Sequence, residues 1–137
     1  MAAPTAYPLL WCDNVATILD WAIKSLGLSA AWINATETGD FEHAELRWPG
    51  GLVSLNIKRD MYADMGPAGI ALRLAANADV DACHARAVKA GANIVLGPEE
   101  SPVAYSFTAV DPDGNHWWVH AETPMFDELR DPEEEAT

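Results

Sequence analysis

The chain runs through one order of elements twice, at a period of about sixty residues, and this repetition is what most restricts its fold. Tyr7 to Cys12 is a short apolar run suited to a strand. Val15, Ile18, Leu19, Ala22 and Leu26 follow at helical spacing, with Asp13 able to cap the helix start and Gly27 placed to end it. Ala30 to Thr36 is a second strand candidate, closed by a turn at Gly39-Asp40. Glu42 to Trp48 and Leu52 to Lys58 both alternate apolar with polar, and Pro49-Gly50-Gly51 turns the chain between them. The second half repeats the series. Gly69 to Ala75 reads as a strand, Asp79 to Ala90 as a helix closed by Gly91, and Asn93 to Leu96 as a short strand followed by a loop to Pro102. Val103 to Val110 and His116 to Glu122 complete it. A period this long indicates two paired modules rather than a solenoid. The prediction is an α+β fold of two β-α-β-β-β modules in a single domain over residues 1–137. Module one covers 6–59, a linker 60–68, module two 69–123 and an acidic tail 124–137. Met125 to Arg130 is expected to form one helical turn, and Asp131 to Thr137 to be disordered.

Between the last two strands lies Asp111-Pro112-Asp113-Gly114-Asn115, a tight turn in which Pro112 presets φ and Gly114 supplies a positive φ. Alternation beyond it puts His116, Trp118 and His120 on one face and Trp117 and Val119 on the other. Two imidazoles around an indole either line a site or stand half exposed. In module one, His43, Glu45, Arg47, Ser54 and Asn56, with Trp32 and Asn34, share a polar and aromatic face opposite an aliphatic one. If that sheet curls, the face lines a cleft; if it stays flat, it is solvated.

With 8 basic against 21 acidic residues, the net charge is −13. This argues against nucleic acid and an anionic membrane surface as partners; it permits attraction of a cationic small molecule, while the crowding of acids into the tail points first to solubility. No apolar run is long enough to span a membrane. Ala2 to Leu10 lacks the basic start and long apolar stretch of a secretory signal, and Cys12 and Cys83 sit apart in apolar contexts. The expected location is therefore the cytoplasm, with both thiols as small buried hydrophobes. There is no G-x-S-x-G elbow, P-loop or dinucleotide fingerprint.

The repeated modules, the Asp111–Asn115 turn, Asp13 before the first helix, Leu26-Gly27 at its end, His43-Ala44-Glu45-Leu46, Asp79-Val80-Asp81-Ala82 and Ala90-Gly91-Ala92 together resemble the vicinal oxygen chelate superfamily. That superfamily includes glyoxalase I, bleomycin-resistance proteins and extradiol dioxygenases. The resemblance spans Tyr7 to Thr123, and His43-Ala44-Glu45-Leu46 with Trp117-Trp118 look most like the bleomycin-resistance branch. It implies curled mixed sheets enclosing a cleft, often in a homodimer that pairs modules between chains. Family enzymes hold a divalent metal there through His, Gln or Glu. Carried over by position, those ligands fall near Ala6, near Ala71 and at Trp118, and none of these side chains offers a lone pair to a metal. The expectation is therefore a protein with no metal and no cofactor that binds a small aromatic or cationic molecule, such as a bleomycin-type antibiotic, rather than an enzyme. Trp32 and Trp118 would stack on the ligand. His43, Glu45, Asn56, His116 and His120 would hydrogen-bond to it, and Arg73 would pair with an acidic group. The alternative is a lyase or dioxygenase whose metal site is rebuilt from His43, Glu45, His116, His120 and Glu122. His43 and Glu45 could also form a metal-free acid–base pair. His84, on the second helix, is expected at the surface or the core edge.

Overall fold

The computed structural model describes residues 6–130. The tail segment Asp131 to Thr137 lies outside the described residues. The elements are β1 (Leu9–Cys12), α1 (Val15–Leu26), β2 (Ser29–Ala35), β3 (Phe41–Trp48), β4 (Gly51–Ile57), β5 (Gly69–Leu74), α2 (Asn77–Lys89), β6 (Asn93–Glu100), β7 (Ala104–Val110), β8 (His116–Glu122) and α3 (Pro124–Arg130). A single 3-10 turn, Asp60–Tyr62, sits between the two series. The strands form two four-stranded mixed sheets, ordered β1-β4-β3-β2 and β5-β8-β7-β6. In each, the first strand runs parallel to the last and the remaining pairs are antiparallel. The fold is α+β with a repeated β-α-β-β-β unit, as the two series predicted.

The spacing that predicted α1 corresponds to its buried face, since Val15, Ile18, Leu19, Ala22 and Leu26 are all covered. Its cap is Asn14 rather than Asp13. The Asn14 side chain accepts from the Thr17 N–H at 3.0 Å, while the Asp13 N–H donates to Asp113 Oδ2 at 3.2 Å. Gly27, at φ +80°, ends the helix: its own N–H reaches Ile23 O, and the Leu28 N–H reaches Ala22 O. On α2, Val80, Cys83 and Ala87 are buried, and the His84 ring meets Phe107 edge-on at 5.2 Å.

Two elements differ from the sequence reading. β6 does not stop at Leu96 but continues through Gly97-Pro98 to Glu100, paired with β7 across two register shifts. A Gly-Pro pair reads locally as a turn, and the bulges let the ladder resume beyond it. α3 is a seven-residue helix that begins on a proline, the residue suited to a first helical position.

α1 and α2 pack on each other, and each also covers one face of its own sheet. One apolar cluster runs through both halves, from Leu10, Leu46 and Leu55 to Ile70, Phe107 and Val119. The Trp21 and Trp117 rings meet across it, 5.7 Å apart. The first sheet therefore keeps a helix-free face, while on the second α3 meets one end of β8. Cys12 and Cys83 are free and buried, and burial pushes their thiols up to about 12 and about 11. They stay protonated and unreactive, as small apolar residues.

Candidate functional site

The Asp111–Asn115 turn proves to be an architectural hub. Asp111, only 4% exposed, accepts from the N–H groups of Asp113 and Asn115, from Asn115 Nδ2 and from Trp117 Nε1, all within 2.9–3.2 Å. Asn115 Oδ1 accepts the Ala68 N–H at 2.8 Å, and the His116 N–H reaches Ala68 O at 2.9 Å. The turn thus fixes the entry of β8 and locks β5 beside it. Burial raises the carboxyl of Asp113 above its usual range; the Asp13 N–H pulls it down, but Asp13 and Asp111 add to the rise.

Strand alternation and register assemble the helix-free face of the first sheet. His43 lies opposite Asn56, Glu45 opposite Ser54, and Trp32 opposite Glu45. Trp32 Nε1 donates to Glu45 Oε1 at 2.6 Å, and the Trp32 ring meets the His43 imidazole edge-on at 4.4 Å. His43 Nε2 is 3.0 Å from Ser54 Oγ, which also accepts from Asn56 Nδ2 at 3.0 Å. Because Asn56 donates to Ser54, the Ser54 hydroxyl is free to donate its own proton to His43. Trp32, His43, Glu45 and Asn56 are therefore one connected group, joined by Ser54. The group borders an open cavity of about 440 Å³ lined by Trp11, Asn34, His43, Asn56 and Arg59. His43 and Glu45 do not bond each other. As i and i+2 residues of one strand they are spaced ~6–7 Å apart, and each is satisfied across the sheet instead.

The second sheet carries a different group. The Trp118 and His120 rings stack at 3.9 Å and 13°. His120 Nε2 lies 3.1 Å from Glu122 Oε2. Arg73 Nε approaches Glu122 Oε1 at 3.2 Å, and Arg130, from α3, reaches the same oxygen at 2.7 Å. The Arg130 guanidinium also rests on the Phe126 ring at 4.0 Å. Glu122 is thus a carboxylate with 1% of its side chain exposed and three cationic or imidazole partners. Burial would raise its pKa, but the His120 hydrogen bond and then the Arg130 and Arg73 charges outweigh burial and hold it below the ordinary 4.5. His116, at the start of β8, is exposed and takes no part. Arg73, Trp118 and His120 are therefore gathered on the second sheet and the other four on the first. Sequence reading treated Glu122 only as a spare metal donor and missed Arg130, whose place depends on how α3 folds back.

A lowered carboxyl pKa stabilises the fold above the unfolded value and loses that effect as pH falls through the folded one. The stability gap between the wild type and Glu122→Gln should therefore be widest above pH 4.5 and close below it. Urea titrations across that range check this; a gap independent of pH would refute it.

The positions implied for a metal do not suit one. Ala71 is paired with Trp118 in the β5–β8 register, and the Trp118 ring stacks one of its faces on His120. Among the described residues, no three His, Cys, Asp or Glu side chains converge as a metal requires.

Residues 5–119 match the family model for the Glyoxalase/Bleomycin resistance protein/Dioxygenase superfamily. Several solved structures share the fold. TioX from Micromonospora sp. ML1 superposes with a TM-score of 0.74 at 19% identity, over 86% of this chain and 99% of its own. TnmS3, an antibiotic binding protein from Streptomyces sp. CB03234, gives 0.68 at 19% identity, over 90% and 100%. A glyoxalase/bleomycin resistance protein/dioxygenase family enzyme from Burkholderia phytofirmans PsJN gives 0.68 at 14% identity, over 88% and 100%. No curated protein sequence matches the chain.

Proposed function

The chain belongs to the Glyoxalase/Bleomycin resistance protein/Dioxygenase superfamily, and on that premise we propose that it is a small-molecule-binding protein that works without a metal and sequesters an aromatic or cationic, antibiotic-like compound. The observation that carries this reading is the Ala71–Trp118 pair. A methyl group is paired with an indole where a metal enzyme needs donors, and the indole offers a π-face instead. Three features support it. Trp32 is 43% exposed beside the polar Ser54 group, so a second aromatic surface is open. The net charge of −13 attracts cationic molecules. The fold is shared with the antibiotic binding protein TnmS3.

The first sheet has a helix-free face and the second is covered there only where α3 meets β8, and a second copy is the natural cover for what is left open. We therefore read the working unit as a homodimer in which module one of one protomer faces module two of its partner. A cytoplasmic location is part of the same reading: both cysteines are free, and no described helix is long and apolar enough to cross a membrane.

Tryptophan emission, followed against a panel of planar aromatics and cationic glycopeptides of the bleomycin type, tests the function. At least one compound should quench saturably, and Trp118→Ala should weaken it by about ten- to thirtyfold, the worth of one stacked aromatic anchor. A panel without a binder, or stoichiometric zinc, nickel, manganese or iron in the purified protein, would end the proposal. Sedimentation of the full chain tests the dimer, and a monomer at micromolar concentration would reject it.

A further inference from the structure

His120 is buried, and one of its two ring nitrogens has no partner. Nε2 faces Glu122 Oε2 at 3.1 Å, while Nδ1 makes no hydrogen bond. An ionised carboxylate can only accept, so the Nε2 atom facing it carries the proton. The cations around Glu122 keep it ionised: Arg73 and Arg130 both contact Oε1 and leave Oε2 to the imidazole. In the neutral ring this makes Nδ1 a lone-pair acceptor. Buried acceptors are nearly always paired, and one left over in a folded protein calls for an explanation.

We infer that His120 Nδ1 anchors a ligand subsite on the second sheet, accepting the O–H or N–H of a planar aromatic molecule that lies on Trp118, with Glu122 as the positioning residue that makes this nitrogen an acceptor. This rests on the small-molecule-binding reading above and adds the chemistry of the ligand to it. The Trp118 indole lies parallel to the His120 ring, and the Nδ1 lone pair points along the imidazole plane, so a flat molecule whose donor reaches Nδ1 in that plane can lay its rings along the indole. Nδ1 is covered in the free chain, so a side chain must yield to admit a ligand. Glu122 is tied in place by Arg73 and Arg130, and His120 by its hydrogen bond to Glu122. Trp118 is half-buried, and among the described residues no hydrogen bond holds its indole nitrogen. Trp118 is therefore the side chain that shifts, uncovering Nδ1 while its ring stays against the ligand.

A matched pair of probes tests this on the full chain: 2-naphthol, which has the donor, and 2-methoxynaphthalene, which has the same rings without it. Nitrogen-15 histidine spectra at pH 7.5 should show His120 protonated on Nε2 alone, and 2-naphthol should shift the Nδ1 resonance. The naphthol should bind about tenfold tighter than the ether, as one hydrogen bond in a dry site gives. Glu122→Gln, which can donate as well as accept, should move proton occupancy onto Nδ1 and remove the preference; His120→Gln should also remove it. Should one variant fold poorly, the other carries the comparison. A proton on Nδ1 in the free wild-type protein, equal affinity for the two probes, or no binding of either overturns the inference. Equal affinity leaves the binding reading intact, because it shows a site that stacks rings without a donor requirement.

Discussion

Asp111→Ala should cost on the order of 4 kcal/mol and lower the melting temperature by roughly 10–15 °C. The substitution removes the acceptor of the Trp117 indole N–H and of the Asp113 and Asn115 backbone N–H groups. Asn115 Nδ2 loses its acceptor as well. Trp117 is fully buried, so no water can replace what Asp111 supplies. Each such orphaned donor costs ~1–3 kcal/mol, and a domain of this size has only about 5–15 kcal/mol in hand. Asp113→Ala is the control. It alters the same turn, yet among the described residues the Asp113 side chain accepts a single hydrogen bond, from the Asp13 N–H, so it should stay within about 1 kcal/mol of wild type. Differential scanning calorimetry separates the two. If Asp111→Ala melts within a few degrees of wild type, the hub is not what holds β8 in place.

Gly97→Ala is expected to be nearly as damaging, at about 3 kcal/mol or more. Gly97 has φ +85°, and a Cβ there would run into the Ser106 carbonyl oxygen and stand 2.9 Å from Phe107 Cα. These are backbone atoms of β7, a central strand that cannot move aside without breaking its ladder. Gly91→Ala separates the two effects: its φ of +81° is almost the same, but a Cβ would meet nothing within 4 Å. That variant should cost only the left-handed conformation, ~1–2 kcal/mol. Denaturant midpoints for the pair measure the clash directly, and equal losses would show that close packing of β6 on β7 contributes nothing.

Much of the molecule is legible in short-range pattern. The spacing of Val15, Ile18, Leu19, Ala22 and Leu26 specifies a helix face whatever packs against it. The alternation in Glu42 to Trp48 and Leu52 to Lys58 sets which side chains share a face, because a strand has a period of two. Alternation therefore groups His43 with Glu45 and Ser54 with Asn56, each pair on one face of its own strand, and it assigns Trp117 and Trp118 to opposite faces. The Asp-Pro-Asp-Gly-Asn turn is legible too, through residues whose backbone preferences are local. Its buried role is not, because no local signal says that the Asp111 carboxylate receives the Trp117 indole.

The amino-acid sequence by itself determined the two-module order, the faces of the strands and the lack of donors at Ala71 and Trp118, since these depend only on residue type and on periods along the chain. Tertiary structure alone decided that the polar groups divide between two sheets, that Gly97-Pro98 continues a strand, and that Arg130 folds back from α3 onto a buried Glu122. Those facts depend on which distant segments meet, and the free energy of such contacts comes from long-range packing and desolvation that no window of neighbouring residues contains.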